Sequence, residues 1–181
     1  MLFALFLIMC AIALAAVSIA LPDFSDLELL AAVFGLAGAY LLTRHLLRRR
    51  REWIVVDGSN VLHWRDNQPK LETLQEVLAV LKAQGFVPGV VFDANAGHLI
   101  ANRYMHDHAF GKLLGLPDNQ IIVVPRGTPA DPTVLAAARD FGARIVSNDR
   151  FRDWAGAHPE IGQPGHLVQG GYRDGKLWLD I

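Results

Sequence analysis

The strongest constraint on the fold lies in the first 47 residues, which contain two long apolar runs. Residues 2–21 carry no charged side chain, and residues 27–47 carry charges only near their ends, at Glu28 and Arg44. A helix needs about 20 apolar residues to cross the hydrocarbon core of a bilayer. The sequence therefore predicts two transmembrane helices, at about 2–21 and 27–47, that form a hairpin in the lipid bilayer.

Small residues in the second run favour close packing of the two helices. Gly35 and Gly38 leave room for a neighbouring helix backbone. Two alternatives are a cleaved signal peptide, and a single span beside a buried helix. The first run lacks a positive n-region and is longer than a usual signal-peptide core, so a retained hairpin is favoured.

Four consecutive arginines follow the second apolar run, at residues 48–51, and form a basic juxtamembrane linker over 48–52. The positive-inside rule places them in the cytoplasm. The segment from 53 to 181 is then a cytoplasmic domain, and the acidic turn near Asp26 faces the other side. Two spans joined by a short acidic turn, in so compact a chain, are typical of a protein of the bacterial inner membrane. The arginines could also bind anionic lipid or RNA, although the topology interpretation requires neither.

The composition of the whole chain excludes several classes of protein. One cysteine in 181 residues excludes a disulfide scaffold and a cysteine-rich zinc site. An apolar content of 52% with a net charge of −1 excludes a disordered chain. The same net charge gives no support to a strongly basic nucleic-acid binder, although a local basic patch stays open.

Apolar runs alternate with segments of helical periodicity from residue 53 onward. The predicted strands are 53–56, 87–92, 121–124 and 144–146, and the predicted helices are 71–83, 98–114 and 132–141, with Asp131 as the N-cap of the last. This alternation predicts an α/β fold, a three-layer α/β/α sandwich around a mostly parallel sheet. The tail has Asp174-Gly175 between apolar runs at 166–169 and 177–179, which predicts a hairpin or edge strands.

Aspartates recur where these strands end. Asp57 and Asp93 close the first two strands, Asp131 opens the helix after the third, and Asp149 follows the fourth, with Asp153 close behind. Ligands bind at the carboxyl ends of the strands in open α/β sheets. Gathered carboxylates repel one another unless a cation joins them, and oxygen ligands suit Mg²⁺ or Mn²⁺. Taken one at a time, these aspartates could equally be turn residues or helix caps.

Two motifs carry a resemblance to a known family. Residues 55–61, VVDGSNV, resemble the first motif of the NYN branch of PIN-like ribonucleases, and residues 145–153, IVSNDRFRD, resemble its last. The chain is most similar to the Regnase-type (MCPIP) NYN ribonucleases over about residues 53–155. The resemblance implies a PIN-like fold and an Mg²⁺-dependent ribonuclease that leaves 5′-phosphate products, with one ion held partly through water.

The resemblance also implies a set of site residues. Its metal-binding acids fall on Asp57, Asp131, Asp149 and Asp153, and its motif asparagine falls on Asn60, which would position the acids or the phosphate. Ser147 and Asn148 would support the Asp149 loop. The residues expected to contact the substrate are Arg65, Arg126, Arg150 and Arg152, together with Ser147 and Asn148.

The chain departs from the family pattern in two places. Ala130 stands where the family has the first of two adjacent acids, and Asp93, which is not part of the animal-type pattern, is a possible additional ligand. There is no CCCH zinc finger, because the chain has a single cysteine.

These patterns lead to one main hypothesis and two alternatives. The main hypothesis is a membrane-anchored, metal-dependent endoribonuclease that acts on single-stranded or looped RNA. The first alternative, motivated by Ala130, is an RNA-binding or scaffold module of the same fold with weak or no catalysis. The second is a metal-dependent DNA nuclease, which shares the logic of an acidic cluster.

Overall fold

The computed structural model describes residues 2–20, 26–47 and 52–181. The chain divides into two compact units, Met1–Arg50 and Arg51–Ile181. The arginines at 48–51 and most of the acidic turn between the apolar runs lie outside the described residues.

The first unit is a pair of packed apolar helices, α1 (Leu2–Ala20) and α2 (Leu27–Leu47). A side chain at Gly38 would meet the Ile8 side chain at 2.7 Å and the Ala4 carbonyl at 3.1 Å, so the close approach expected at this glycine is confirmed. At Gly35 the spacing is ordinary, 3.7 Å to Ala11. Both helices are long and apolar enough to cross a membrane, with mean hydropathies of 2.8 and 1.5.

The second unit contains an α/β domain followed by a hairpin. Its helices are α3 (Gly58–Val61), α4 (Leu71–Ala83), α5 (Ala96–Ala101), α6 (Asp107–Leu114) and α7 (Asp131–Phe141). Its strands are β1 (Glu52–Asp57), β2 (Phe86–Phe92), β3 (Ile121–Val123), β4 (Arg144–Val146), β5 (Leu167–Val168), β6 (Gly170–Arg173) and β7 (Lys176–Leu179). Short 3-10 helices lie at Asp118–Gln120, Arg152–Trp154 and Pro159–Gly162.

The strands β1 to β5 form one parallel sheet in the order β3-β2-β1-β4-β5. Asp57, the last residue of β1, is paired in register with Val91 of β2. The chain builds outward from β1 through β2 to β3, and α7 then returns it to β4 on the other side of β1. The order of the strands therefore reverses between β1 and β4, where ligands bind in sheets of this kind.

Alternate residues of each strand face opposite sides of the sheet and build two cores. Ile54, Val56 and Phe92 pack on the side of α4 and α6. Val55 and Val91 pack on the side of α7. Because β1 is buried on both faces, it reads as a continuous apolar run in the sequence.

The α/β/α fold predicted from the sequence is confirmed, with two local differences. The prediction of one helix over 98–114 is wrong, because this segment forms two helices, α5 and α6. Asn102 takes a left-handed conformation (φ 51°) and ends α5. The N-cap of α7 is Ala130, so Asp131 is the first helical residue and makes no side-chain capping bond.

The tail forms an edge strand and a hairpin, but the apolar run at 166–169 forms the edge strand, and the first strand of the hairpin is Gly170–Arg173. β5 is the edge strand of the parallel sheet, paired with β4. β6 and β7 pair antiparallel around a turn that contains Asp174 and Gly175, both with positive φ.

Candidate active site

The predicted site aspartates meet at one edge of the sheet. Because β1, β2 and β4 are parallel, their carboxyl ends lie side by side, and this brings Asp57, Asp93 and Asp149 to the same edge. Asp131, at the start of α7, joins them. Asp57 stands at the point where the strand order reverses, the central position of this edge.

Asp57 is buried, and each of its carboxylate oxygens accepts a hydrogen bond. Only 6% of its surface is exposed. Its Oδ1 accepts the Asn60 backbone N–H at 3.1 Å, and its Oδ2 accepts the Ser147 hydroxyl at 2.9 Å. The first bond caps α3, so the DGSN motif is a single helical turn that holds the carboxylate in place. Asp57 is therefore a helix cap as well as a member of the predicted set of site aspartates.

Burial raises the pKa of the Asp57 carboxyl to about 6. The hydrogen bonds from Asn60 and Ser147 oppose the shift, and the negative charges of Asp131 and Asp93 add to it. A buried carboxylate beside like charges is the environment in which ionisation becomes unfavourable. Asp57 is therefore a group whose charged form needs a nearby positive charge.

The Asp131 carboxyl is also affected by burial and by neighbouring carboxylates. Burial raises its pKa, and Asp149 makes the next largest contribution, with Asp93 and Asp153 behind it. The Trp154 side chain close to this carboxylate partly offsets the rise. Since Asp131 makes no capping bond, its carboxylate is available to a ligand. The interaction with Trp154 was not foreseen from the sequence, because it joins positions 23 residues apart in the chain.

Asn60 ties the first motif to the last. Its side-chain oxygen accepts the Trp64 indole N–H at 2.7 Å and the Asn148 backbone N–H at 3.1 Å. Its own backbone N–H is the donor to Asp57. The expected positioning role is thus expressed as a bridge between α3 and the loop after β4.

The loop after β4 is held from three directions. The fully buried Ser147 hydroxyl, which donates to Asp57, also accepts the Asp149 N–H at 3.1 Å. The Asn148 side chain pairs with both backbone groups of Gly170, at 2.9 and 3.1 Å. Asp149 Oδ1 accepts the Phe151 N–H at 2.9 Å, and Phe151 is buried with φ 48°. These contacts make Ser147 and Asn148 supports of the loop.

Asp93 joins the cluster through β2. Its backbone N–H donates to the Ser59 hydroxyl at 2.8 Å, which fixes the end of β2 against α3. Its charge contributes to the raised pKa of both Asp57 and Asp131. The structure thus places Asp93 with the four aspartates that the family resemblance supplies.

The five carboxylates are oxygen donors of the kind that suits a divalent cation. Oxygen donors are the ligands of Mg²⁺ and Mn²⁺, and two of the aspartates have pKa values raised by burial and by neighbouring carboxylates. Within residues 2–20, 26–47 and 52–181, no three acidic, histidine or cysteine side chains converge closely enough to ligate one ion directly. An ion would therefore need water among its ligands.

The predicted arginines fall into two groups. Arg126 is exposed in a pocket of about 910 Å³ that also contains Asp93, and Arg150 and Arg152 line a second pocket of about 530 Å³. Arg65 instead lies 3.7 Å from Glu76 and above the Tyr172 ring, 5.2 Å from its centroid. The structure therefore brings three of the four arginines to pockets beside the carboxylates or the loop that carries them.

Sequence reasoning missed Tyr104, which lines the same pocket as Arg126 and is 56% exposed. It was placed inside a continuous helix, where an aromatic side chain gives no signal. Asn102, a residue that tolerates a left-handed backbone, was the available sign that the helix ends before it.

Comparison with solved structures supports the fold. Two structures of the Arabidopsis thaliana nuclear proteinaceous (protein-only) RNase P 2 are similar, each with a TM-score of 0.56. The identities are 18% and 19%, and the matches cover 77% and 88% of this chain. They cover 32% and 36% of that protein, so this chain spans about a third of its length.

Comparison with protein families assigns the chain. No curated protein matches its sequence. The family model described as the Zc3h12a-like ribonuclease NYN domain matches residues 50–163, which is more than half of the chain. That range includes α3, both motifs and all five aspartates. The chain therefore belongs to the family of Zc3h12a-like NYN ribonuclease domains.

Proposed function

We propose that this protein is a membrane-anchored endoribonuclease that depends on a divalent cation, Mg²⁺ or Mn²⁺. The observation that carries the proposal is the gathering of five aspartates at the switch point of the sheet. Asp57 and Asp131 have pKa values raised by burial and by neighbouring carboxylates. An acidic cluster without a cation would repel an RNA phosphate, whereas a cation makes the same cluster attractive to it.

The side chains of the site divide the work. Asp57, Asp131 and Asp149, with Asp153 and Asp93 around them, would hold the ion partly through water. When bound, such a cation supplies positive charge for the scissile phosphate and activates water for hydrolysis. Asn60 and Ser147 keep the carboxylates in position through their hydrogen bonds. Arg126, Arg150 and Arg152 would pair with phosphates of the strand.

The surroundings of the carboxylates favour cleavage within a strand. One pocket, with Arg126, opens on the β2–β3 side, and the other, with Arg150 and Arg152, lies on the β4–β5 side. A strand that crosses this edge can therefore continue in both directions from the scissile phosphate. This arrangement suits an endonuclease acting on single-stranded or looped RNA.

Ala130 favours a second candidate function, that of an RNA-binding or scaffold module. Ala130 is buried, with 4% of its surface exposed, at the position where the resemblance places another acid. Loss of that acid weakens the negative potential available to a cation. The module would then bind RNA without cleaving it, and the Asp149→Asn substitution would leave its function unchanged.

One assay separates these candidates and the DNA nuclease alternative. The full chain, in detergent, is incubated with labelled single-stranded RNA and DNA of matched sequence in Mg²⁺, Mn²⁺ or EDTA. We expect internal cleavage of RNA with Mg²⁺ or Mn²⁺, 5′-phosphate products, and no cleavage in EDTA. Asp149→Asn should abolish it. Asp140→Asn is the matched control, because Asp140 is exposed near the opposite end of α7 from Asp131.

The outcomes are distinct. Binding of RNA without cleavage in any metal supports the scaffold function. Preferential cleavage of DNA supports the alternative nuclease. Equal RNA cleavage by Asp149→Asn and by the parent contradicts the proposed site.

The membrane anchor rests on the surfaces of α1 and α2. Large apolar side chains cover their outer faces, with Leu2 82%, Phe6 61% and Leu36 74% exposed. A helix in the core of a soluble protein would bury such side chains, whereas lipid accepts them. We propose that α1 and α2 span a bilayer, with the nuclease domain on the cytoplasmic side of a bacterial inner membrane.

A labelling experiment tests the topology. The single cysteine is first removed by Cys10→Ala. One new cysteine is then placed at Asp26, between the helices, or at Asp174, in the turn between β6 and β7. A membrane-impermeant maleimide should label the first in intact cells and the second only after permeabilisation. Labelling of both in intact cells contradicts the cytoplasmic placement, and loss of the protein from the membrane fraction at alkaline pH contradicts the anchor.

A further inference from the structure

A pocket of about 910 Å³ that contains Asp93 is also lined by side chains with no role in the proposed cleavage. It is formed by the end of β2, by α5, by the loop that follows α5 and by the segment after β3. Its lining combines charged, amide and aromatic side chains, among them Asp93, Asn95, Tyr104, Arg126 and Thr128. Its volume falls in the range of small-molecule pockets, about 300–1,000 Å³.

The pocket opens directly from the edge that carries the aspartates. Asp57 pairs in register with Val91, so Asp93 lies two residues beyond it at the end of the neighbouring strand. Val123 of β3 pairs with Phe92, and Arg126 follows three residues later. A strand whose phosphate sits at Asp57 would therefore carry an adjacent nucleotide past Asp93 toward Arg126.

The backbone of the loop that carries Tyr104 is held by buried residues on either side of it. Met105, the next residue, is 2% exposed and anchors the loop in the core. The loop packs against Gly97 of α5 so tightly that a Cβ there would meet the Arg103 carbonyl and the Met105 backbone N–H at 2.7 Å. Asn102 at φ 51° sets the turn. An exposed aromatic ring on so fixed a loop is a preorganised stacking surface.

We propose that this pocket binds one unpaired nucleotide of the RNA next to the scissile phosphate, with its base stacked on Tyr104 and a phosphate paired with Arg126. The inference rests on the proposed ribonuclease function and names the structural class of its substrate. Every base has an aromatic face that can stack on a tyrosine ring, so the site tolerates all four bases. A paired base is already stacked between its neighbours, so a duplex cannot fill the pocket.

The neutral groups of the pocket complete the fit. Asn95 and Thr128 supply donors and acceptors for the sugar and the base edge. Arg126 supplies positive charge to the pocket lining, and this places the phosphate of the adjacent nucleotide toward Arg126. The charges of the pocket thus orient the nucleotide with its base toward Tyr104.

Binding is measured on the full chain in detergent, in an Asp149→Asn background that blocks turnover. The probes are a fluorescein-labelled 12-nucleotide single-stranded RNA and the same strand in a blunt duplex, followed by anisotropy. Tyr104→Ala should weaken single-strand binding roughly 5- to 150-fold, the fold-change that corresponds to one base–aromatic stack. It should leave duplex binding within about twofold of the parent, since no base enters the pocket.

Three matched variants make the result specific. Tyr104→Phe keeps the ring and should bind within about twofold of the parent, because stacking needs only the aromatic face. Leu99→Ala removes another exposed apolar side chain of α5, outside the pocket lining, and should have no effect. Arg126→Ala should weaken binding of both probes and lower the slope of log Kd against log salt by about 1.

The outcomes separate this proposal from the proposed function. Unchanged single-strand binding by Tyr104→Ala, or equal loss for Tyr104→Phe, overturns the stacking site even if the parent with Asp149 intact cleaves RNA. Selective loss of single-strand binding in Tyr104→Ala supports the site even if that parent fails to cleave, in which case the ribonuclease proposal alone is overturned.

Discussion

Replacing Asp57 with asparagine should make the protein more stable and inactive at the same time. At neutral pH the buried Asp57 carboxylate is ionised although its pKa is raised to about 6, against an ordinary value of 3.8. A shift of about 2 units corresponds to about 3 kcal/mol of lost stability above the folded pKa. Asparagine has nearly the same shape and carries no charge, so it removes this penalty.

The hydrogen bonds set how much of that gain survives. The amide oxygen can still accept the Asn60 N–H, but its NH₂ group faces the Ser147 hydroxyl, which now donates to Oδ2. That hydroxyl must reverse its role while it also accepts the Asp149 N–H, and it loses a bond worth about 1 kcal/mol. The net gain is about 2 kcal/mol, or roughly 5–10 °C in Tm for a domain of this size.

Tryptophan fluorescence provides the assay in the full chain. All four tryptophans, Trp53, Trp64, Trp154 and Trp178, lie in the second unit, so a thermal scan in detergent and EDTA reports its unfolding. Asp57→Asn should melt above the parent at pH 7.5 and close to it at pH 4, where the parent carboxyl is also protonated. Asp140→Asn should melt within about 2 °C of the parent, because surface substitutions change stability little.

Two results would refute the reasoning. A lower Tm for Asp57→Asn at pH 7.5 would mean that the carboxylate is not destabilised by its site. A gain of equal size at pH 4 and pH 7.5 would mean that charge is not its cause.

Further predictions follow from the same contacts. In EDTA the parent should lose stability as pH rises from about 4 to 7, because the raised pKa of Asp57 lets the folded state bind more protons than the unfolded state. Mg²⁺ should raise Tm more at pH 7.5 than at pH 5, and equal shifts would argue against binding at Asp57. Gly58→Ala should lower the free energy of unfolding by about 1–3 kcal/mol, since its Cβ would meet the Phe92 ring at 2.5 Å. In the control Gly156→Ala the Cβ meets nothing within 4 Å and stability should not change, so equal Tm values for the two variants would contradict this packing. Gly38→Ile should separate α1 from α2, seen as lost energy transfer between labels on the two helices, and retained transfer would show that the contact with Ile8 is unimportant.

Local patterns in the sequence were enough to predict most of the fold. The helix at 71–83 begins and ends at the predicted residues, because its apolar spacing is regular and Gly85 follows it. The continuous apolar run before Asp57 indicated a strand buried on both faces, which β1 confirms. Parallel strands then require their carboxyl ends to meet, so the gathering of the aspartates followed from topology.

The remaining features depend on contacts between distant segments. The helix expected over 98–114 breaks at Asn102, where α5 packs against the backbone before Met105, and this break exposes Tyr104. Arg65 is paired with Glu76 and Tyr172, the latter more than a hundred positions away in the chain. Periodicity carries no information about such pairings.

The hairpin at the end of the chain shows the same limit. Its Asp174-Gly175 turn and its second strand were readable in the sequence, whereas its first strand, β6, follows the apolar run at 166–169 that was expected to pair. Its role was not readable, because Asn148 in the loop before Asp149 pairs with the backbone of Gly170 across 22 residues. This hairpin lies beyond the part of the chain that the family model matches, residues 50–163, yet it buttresses the proposed site.

The most direct test of the account is the single-turnover rate of RNA cleavage by Asp131→Asn in Mg²⁺. Asp131 makes no capping bond, so its substitution removes a carboxylate without removing a helix cap. We expect the rate to fall at least about 100-fold, the scale of losing a group that acts in the transition state, with an unchanged or higher Tm, while Asp140→Asn cleaves like the parent. Cleavage by Asp131→Asn at the parental rate would show that the acidic cluster is not where RNA is cut.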